Sequence, residues 1–413
     1  MKKRVVITGM GVLSPIGNNL ETYWESLSSG KNGIGPITCF DIDDRYASRI
    51  AGELKDFDIT QYMSPKEARK MDPFTQYGLV ASIEAVKDSG LNIDNEDPNR
   101  IGVILSSGIG GLQTLGREFR TLYEKGPRRV SPFFIPMIIT DILPGHVSIH
   151  FGFKGPNYAT VSACASSSHA IGEGLRAIQK GEADIMVVGG AEATITDMGI
   201  ASFSSLKALS TRNNDPEHAS RPFDNERDGF VMGEGAGIIV IEELEHALAR
   251  NARIYTELAG YACTGDAYHI TAPSPDGEGA VRAMKQAIED AGLELDDVDY
   301  INAHGTSTPH NDRTETFAIK TLFGEKAYDL AINSTKSMIG HLLGASGGVE
   351  IIASSLCILN QTIHPTVNQI VPDPDCDLNY VPNVKQEKVI DVAISNSFGF
   401  GGHNVCLVIK KYQ

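Results

Sequence analysis

Short β-branched runs alternate along this chain with stretches of helical periodicity, which constrains its fold more than any other feature. Residues 5–8, 101–105, 185–188, 238–241, 300–302 and 392–395 read as strands. Residues 76–89, 169–180, 278–291 and 347–359 read as helices between them. Alternation of this kind implies an α/β architecture with layered sheets. An internal echo adds to it. Residues 85–94 align with residues 287–296, identical at five of ten positions, among them Asp88 with Asp290 and Gly90 with Gly292. Each copy closes a helix with Gly and runs on into a strand, which predicts a duplicated fold with a boundary near residue 250.

The 413 residues fit two to three ordinary domains or one large duplicated unit. Hydrophobic residues at 41% and charged residues at 21% supply a core and a solvated surface. A net charge of −16 argues against general nucleic-acid binding, which needs a basic face to neutralise phosphates. The six cysteines are dispersed without CxxC spacing, so neither a disulfide framework nor a structural zinc site is expected. Gly9, Gly11 and Pro15 interrupt the apolar run after Arg4, and residues 5–8 read better as a buried strand than as a leader. With no run of 18 apolar residues, no membrane span and a cytoplasmic location are expected.

Two motifs are decoys. Gly9, Gly11 and Gly17 follow a strand, but a dinucleotide fingerprint needs Gly where Ser14 stands. Residues 224–229 mimic the start of a calcium loop, yet its twelfth position, where a bidentate Glu is needed, is Gly235.

Residues 158–162 read as a strand, after which residues 163–165 turn into a helix whose apolar face is Ile171, Leu175 and Ile178. That places Cys164 on a sharp turn at the positive end of a helix, the geometry of a nucleophile elbow. A lone cysteine is more often a small buried hydrophobe. An unperturbed thiol is only a few per cent thiolate at neutral pH. A helix end supplies about 0.3–1 kcal/mol, less than one pKa unit, so a nearby histidine is required. His304 ends a strand before a Gly/Thr turn, and His341 precedes the Gly/Ala-rich residues 344–348. The three residues are 140 and 37 positions apart, all at strand ends or helix starts.

At these residues the chain resembles the β-ketoacyl-[acyl-carrier-protein] synthases of the thiolase superfamily. Cys164, His304, His341 and Lys336 match, as do residues 221–224, 229–235 and 396–404, and the resemblance spans residues 3–411. Residues 264–269 look like those of members that elongate long-chain acyl groups. Residues 309–312 are bulkier than the Gly-containing loop common in the family, and His403 stands where Thr is frequent.

The resemblance implies a thiolase fold, a duplicated five-layered α-β-α-β-α architecture. Residues 1–250 would carry the nucleophile and residues 251–413 the two catalytic histidines. Cys164 would take the acyl group as a thioester, and malonyl carrier protein would then lose CO2 and attack it. His304 and His341 would face the charge that develops on the malonyl thioester oxygen. Lys336 would orient His304 through a hydrogen bond and supply local positive charge. Backbone N–H groups of Cys164 and Phe400 would form a second oxyanion site, with Phe400, flanked by glycines, as a gate. Thr306 and Thr308 would meet the pantetheine arm. Ile109 and Phe398 would border the acyl substrate, and Phe133 and Phe134 a pocket wall contributed across a homodimer; core packing explains the last two nearly as well. No cofactor is required, but Asn302, Glu350, Ser395 and Asn396 would surround a structural sodium or potassium ion. An ordinary buried hydrogen-bond cluster is the other reading of those four.

Acyl carrier protein is acidic, so a chain of net charge −16 needs a local basic surface to receive it. Lys66, Arg69 and Lys70 share one helical face if Pro65 opens a helix. The resemblance places them with Arg128, Arg129 and Lys207 around the tunnel entrance. A degradative thiolase would use a second cysteine as base and one histidine. A non-catalytic chain-length factor would lack Cys164. A modular polyketide ketosynthase would carry linkers.

Overall fold

The computed structural model describes residues 2–413. Ten strands form its main sheet: β1 Val5–Leu13, β2 Ile101–Ser106, β3 Asn157–Tyr158, β4 Ile185–Glu192, β5 Gly235–Glu243, β6 Thr256–Gly265, β7 Tyr300–Asn302, β8 Ala331–Asn333, β9 Val392–Gly399 and β10 His403–Lys410. Their spatial order is β8-β7-β9-β10-β6-β1-β5-β4-β2-β3. One five-strand pattern therefore occurs twice. In each half three parallel strands are followed by one antiparallel to both neighbours and then by the half's first strand. The halves join where β1 meets β6 antiparallel, with Val6 opposite Glu257 and Ile7 opposite Thr256.

Five helices complete the layers: α1 Pro73–Asp88, α2 Ser166–Gln179, α3 Glu278–Asp290, α4 Pro309–Phe323 and α5 Ser346–Asn360. Helix α1 covers the outer face of the first half-sheet, and α3 with α4 covers that of the second. Between the half-sheets lie α2 and α5, packed on each other. The five-layered α-β-α-β-α architecture is thus present. Residues Leu343–Asn360 are long and apolar enough to cross a membrane by composition, but 89% of that stretch is buried inside the protein. It is a core helix, apolar all round because it is covered all round.

The sequence echo has a structural meaning. Gly9 on β1 lies so close to α1 that a Cβ there would sit 2.2 Å from the Ala85 carbonyl oxygen. Gly260 on β6 is held the same way, 2.3 Å from the Ala287 oxygen. The Asp88 carboxylate accepts the Met10 N–H at 2.9 Å, and Asp290 accepts the Tyr261 N–H at 3.1 Å. Gly90 and Gly292 then end the two helices at φ 63° and 70°. Gly9 and Gly11 therefore serve helix–strand packing, as their place in a decoy fingerprint allowed. The loop at residues 224–229 is equally structural, since Asp224 accepts the N–H groups of Ile370 and Val371 at 2.7 and 2.6 Å.

The strand expected over residues 158–162 is shorter and earlier, Asn157–Tyr158. Beyond it the chain leaves the sheet so that Ser162 N–H can reach Ser166 Oγ at 2.9 Å, which anchors the turn before α2.

Candidate active site

Cys164 lies in the single-turn Ala163–Ala165 that opens α2, and it is 7% exposed. The strain sits one residue earlier, at Ala163, whose φ of 50° turns the chain sharply into the helix. Gly399 packs against this turn, because a Cβ there would come within 2.7 Å of the Ser162 oxygen. Burial pushes the Cys164 thiol up to about 12, opposed by the positive charge of Lys336 and by a hydrogen bond from the Phe400 backbone N–H. The resting group is a thiol.

His304 lies just past β7 and His341 just before the turn Leu343–Ala345 that opens α5. The Cys164 sulfur and a ring nitrogen from each histidine lie within 4.8 Å of one another, and the two imidazoles cross at 84° with centroids 5.3 Å apart. Burial and then the charge of Lys336 hold both imidazoles well below their ordinary range, so both are neutral. The Leu343 N–H donates to His341 Nδ1 at 3.2 Å, which leaves the proton of the neutral ring on Nε2. Cys164, His304 and His341 are compact enough to be metal ligands, but an Nε2 that carries a proton is a hydrogen-bond donor and not a ligand.

Lys336 is buried, with its ammonium on the His304 carbonyl oxygen at 2.7 Å and paired with Glu350. It holds the backbone of His304 and not its ring. Glu315 on α4 holds the same segment from the other side, accepting the N–H groups of His304 and Gly305 at 2.9 and 2.8 Å. Burial raises its carboxyl to about 7.

Cys164, His304 and His341 open on a cavity of about 530 Å³. Ile109, Thr306, Thr308, Phe398 and Phe400 line it, with Lys207 exposed on its wall. The Phe398 ring is 5.7 Å from that of His304, and the Thr306 and Thr308 hydroxyls are 2.8 Å apart. Phe133 and Phe134 are not on this wall within one chain; Phe133 is 43% exposed with the Lys70 ammonium 5.2 Å from its ring centre.

Pro65 opens a helix, but it spans only Pro65–Ala68, a single turn capped by Ser64 and Glu67. Lys66, Arg69 and Lys70 are exposed there, as are Arg128 and Arg129. Unlike Arg100 and Arg227, none of these five, nor Lys207, forms an ion pair among the described residues.

Asn302, Glu350, Ser395 and Asn396 are fully buried, and each leaves one oxygen without a hydrogen-bond partner. Asn302 and Ser395 face each other across β7 and β9. Both amides spend their N–H groups elsewhere, Asn302 on Tyr300 and Thr335 and Asn396 on Glu315, so oxygens are what remain. An all-oxygen set suits a hard cation.

Sequence reasoning missed Glu315, Phe230, whose ring lies 5.3 Å from that of His341, and Glu192. For Glu192 a signal was present, a carboxylate closing an otherwise apolar strand.

Two family models match. The "Beta-ketoacyl synthase, N-terminal domain" covers residues 2–247 and the "Beta-ketoacyl synthase, C-terminal domain" residues 255–369. A 3-oxoacyl-[acyl-carrier-protein] synthase 2 of Synechocystis is 56% identical over 412 residues, 100% of this chain and 99% of the relative. One of the same name from Staphylococcus aureus strain N315 is 57% identical over 411 residues, with the same coverage. Among solved structures, a complex of a type II polyketide synthase acyl-carrier protein with its ketosynthase bound to the hexaketide aligns over 100% of both chains, with TM-score 0.91 and 34% identity.

Proposed function

The chain belongs to the β-ketoacyl synthase family, and we propose that it condenses an acyl thioester with malonyl-[acyl-carrier-protein], releasing CO2 and yielding 3-oxoacyl-[acyl-carrier-protein]. This acyltransferase reaction is the elongation step of fatty-acid synthesis. The observation that carries it is the trio of Cys164, His304 and His341, within 4.8 Å of one another at one cavity.

Cys164 attacks the acyl thioester carbonyl, the acyl group moves to its sulfur, and the thiol proton leaves with the departing pantetheine sulfur. The N–H groups of Cys164 and Phe400 receive the carbonyl oxygen. Malonyl thioester then loses CO2, and the negative charge that forms on its oxygen meets the imidazole N–H groups of His304 and His341. The resulting carbon nucleophile attacks the Cys164 thioester and frees the sulfur. Neutral imidazoles suit this role, because their N–H groups are aimed at charge that exists only as the reaction proceeds.

Lys336 fixes the His304 backbone, and its charge discourages protonation of either ring. Asn302, Glu350, Ser395 and Asn396 would hold a sodium or potassium ion, whose charge would satisfy their unpartnered oxygens and stiffen β7 and β9 behind His304. Phe400 gates the passage between acyl and malonyl states. Thr306 and Thr308 receive the pantetheine arm, and the six unpaired cations dock the acidic carrier. A second copy of the chain pairs through the face carrying Ile135, Ile149 and Val161, exposed at 59%, 81% and 56% beside edge strand β3. It brings Phe133 and Phe134 to the pocket of its partner. The enzyme works in the cytoplasm.

The test is elongation by the purified chain with malonyl carrier protein and acyl carriers of graded length. Release of CO2 matched by 3-oxoacyl product is expected. Decarboxylation without any condensed product at every length would sink this reading in favour of a non-elongating relative.

A further inference from the structure

Glu192, the last residue of β4, is fully buried, and four donors converge on its carboxylate. Oε1 accepts the Ser107 hydroxyl at 2.7 Å and the Ile109 N–H at 3.3 Å. Oε2 accepts the Gly108 N–H at 2.8 Å and the Gly344 N–H at 2.9 Å. The first three belong to the loop that puts Ile109 on the cavity wall. Gly344 belongs to the turn whose Leu343 N–H sets the His341 ring. One carboxylate thus ties the acyl-side loop of the first half to the histidine turn of the second.

The space around it is closed. A Cβ on Gly344 would lie 2.2 Å from Gly108 N and 2.7 Å from Glu192 Oε2, and one on Gly108 would lie 2.9 Å from the same oxygen. Only two glycines allow both backbones to reach one oxygen. Glu192 takes no part in the bond changes described above, and it does not itself line the cavity. Resting on the condensation reaction proposed above, we infer that Glu192 is a positioning residue that sets chain-length acceptance through Ile109 and the His341 donor through Gly344.

The two oxygens make the two effects separable. In Glu192→Gln one oxygen becomes an NH2 group, which cannot accept from backbone N–H groups. Of the four partners only the Ser107 hydroxyl can turn round and accept. The amide nitrogen therefore settles on the Ser107 side and frees the Ile109 loop, while the oxygen stays on Gly108 and Gly344. Ser107→Ala loosens the same side by a different route, because Ser107 Oγ also accepts the Gly110 N–H at 2.8 Å.

The experiment measures Cys164 acylation by intact mass with acyl carriers of graded length, and malonyl carrier decarboxylation alongside. Glu192→Gln and Ser107→Ala should each lower kcat/KM for the longest acyl chain about ten-fold relative to the shortest, with decarboxylation changed less than about two-fold. Glu192→Ala should impair both readouts. If both conservative variants lose every activity by one common factor, or lose none, Glu192 is merely structural and the inference is overturned. Wild-type protein inactive in both assays would overturn the condensation reading and this inference with it. Active wild-type protein with length-independent variants would overturn this inference alone.

Discussion

In the first half of the sheet the turn Ala163–Ala165 leads into α2, and in the second half the turn Leu343–Ala345 leads into α5. Both begin with a residue forced to positive φ, Ala163 at 50° and Leu343 at 47°, and both run into a helix that starts with Ser. The middle residue is Cys164 in one and Gly344 in the other. Cys164 faces the cavity, whereas Gly344 is pressed against Gly108 and Glu192 with no room for a side chain. The same elbow thus presents a side chain to the cavity once and serves as a packing device once. The duplicate is freed to orient His341, and all six candidate carrier-docking cations lie in the first half. On the proposed function, the nucleophile and the docking cations belong to one copy, and the two histidine donors to the other.

The sharpest way to break that division is to disable each half alone. Cys164→Gln should abolish acylation and condensation while malonyl decarboxylation stays measurable, because the histidines are untouched. His304→Ala should lower decarboxylation about 10²–10³-fold through loss of one donor, close to 2.7–4 kcal/mol. If Cys164→Gln still condensed at a near-native rate, the first half would not hold the nucleophile.

Where the halves are alike, matched substitutions should cost alike. Gly9→Ala and Gly260→Ala each drive a Cβ into a helix carbonyl at nearly equal distance. Each should destabilise by about 1–3 kcal/mol, read by urea unfolding. A cost confined to one of them would show that the shared geometry carries unequal load.

Docking sharpens the comparison further. Lys66→Glu combined with Lys70→Glu should raise KM for carrier-bound substrate about ten-fold and flatten its salt dependence. Turnover of a small acyl thioester without the carrier should barely change. Equal impairment on both substrates would point to a folding defect and remove this patch from the docking surface.

The smallest effect concerns an ion cluster at the far end of β5, in the first half only. His246 bonds Glu242 and Glu96, and those contacts, Glu242 first, raise it to about 9 despite partial burial. A pKa raised above the unfolded value of about 6.5 stabilises the fold fully below that pH. The contribution fades as pH rises through about 9. Compared with His246→Gln, the native chain should lose under about 1 kcal/mol of unfolding free energy between those pH values, since solvent screens the pair. A difference that did not vary with pH would show that His246 acts through packing alone.

Much of this was legible in the residues. Strand–helix alternation and the echo around Asp88 and Asp290 follow from local rules, because hydrophobic period and a helix-closing glycine act over a few residues. The turn at Cys164 was legible for the same reason, although residues 159–162 leave the strand to anchor it. Strands β6, β8 and β10 were not, since one is only three residues long and two mix small or polar residues with apolar ones. Their pairing depends on neighbours far along the chain. That Lys336 meets the carbonyl oxygen of His304 was not legible, because sequence spacing cannot distinguish a carbonyl from an imidazole at the same residue. Glu192 and Glu315 escaped because a buried carboxylate is defined by the donors that converge on it. Those donors sit up to 152 positions away, on Gly344 for Glu192. The sequence by itself determined the period, the turns and the reactive side chains, which are local properties of the backbone and of residue chemistry. Tertiary structure alone decided which of two equivalent elbows faces a cavity, because that choice rests on close packing between halves that meet only when folded.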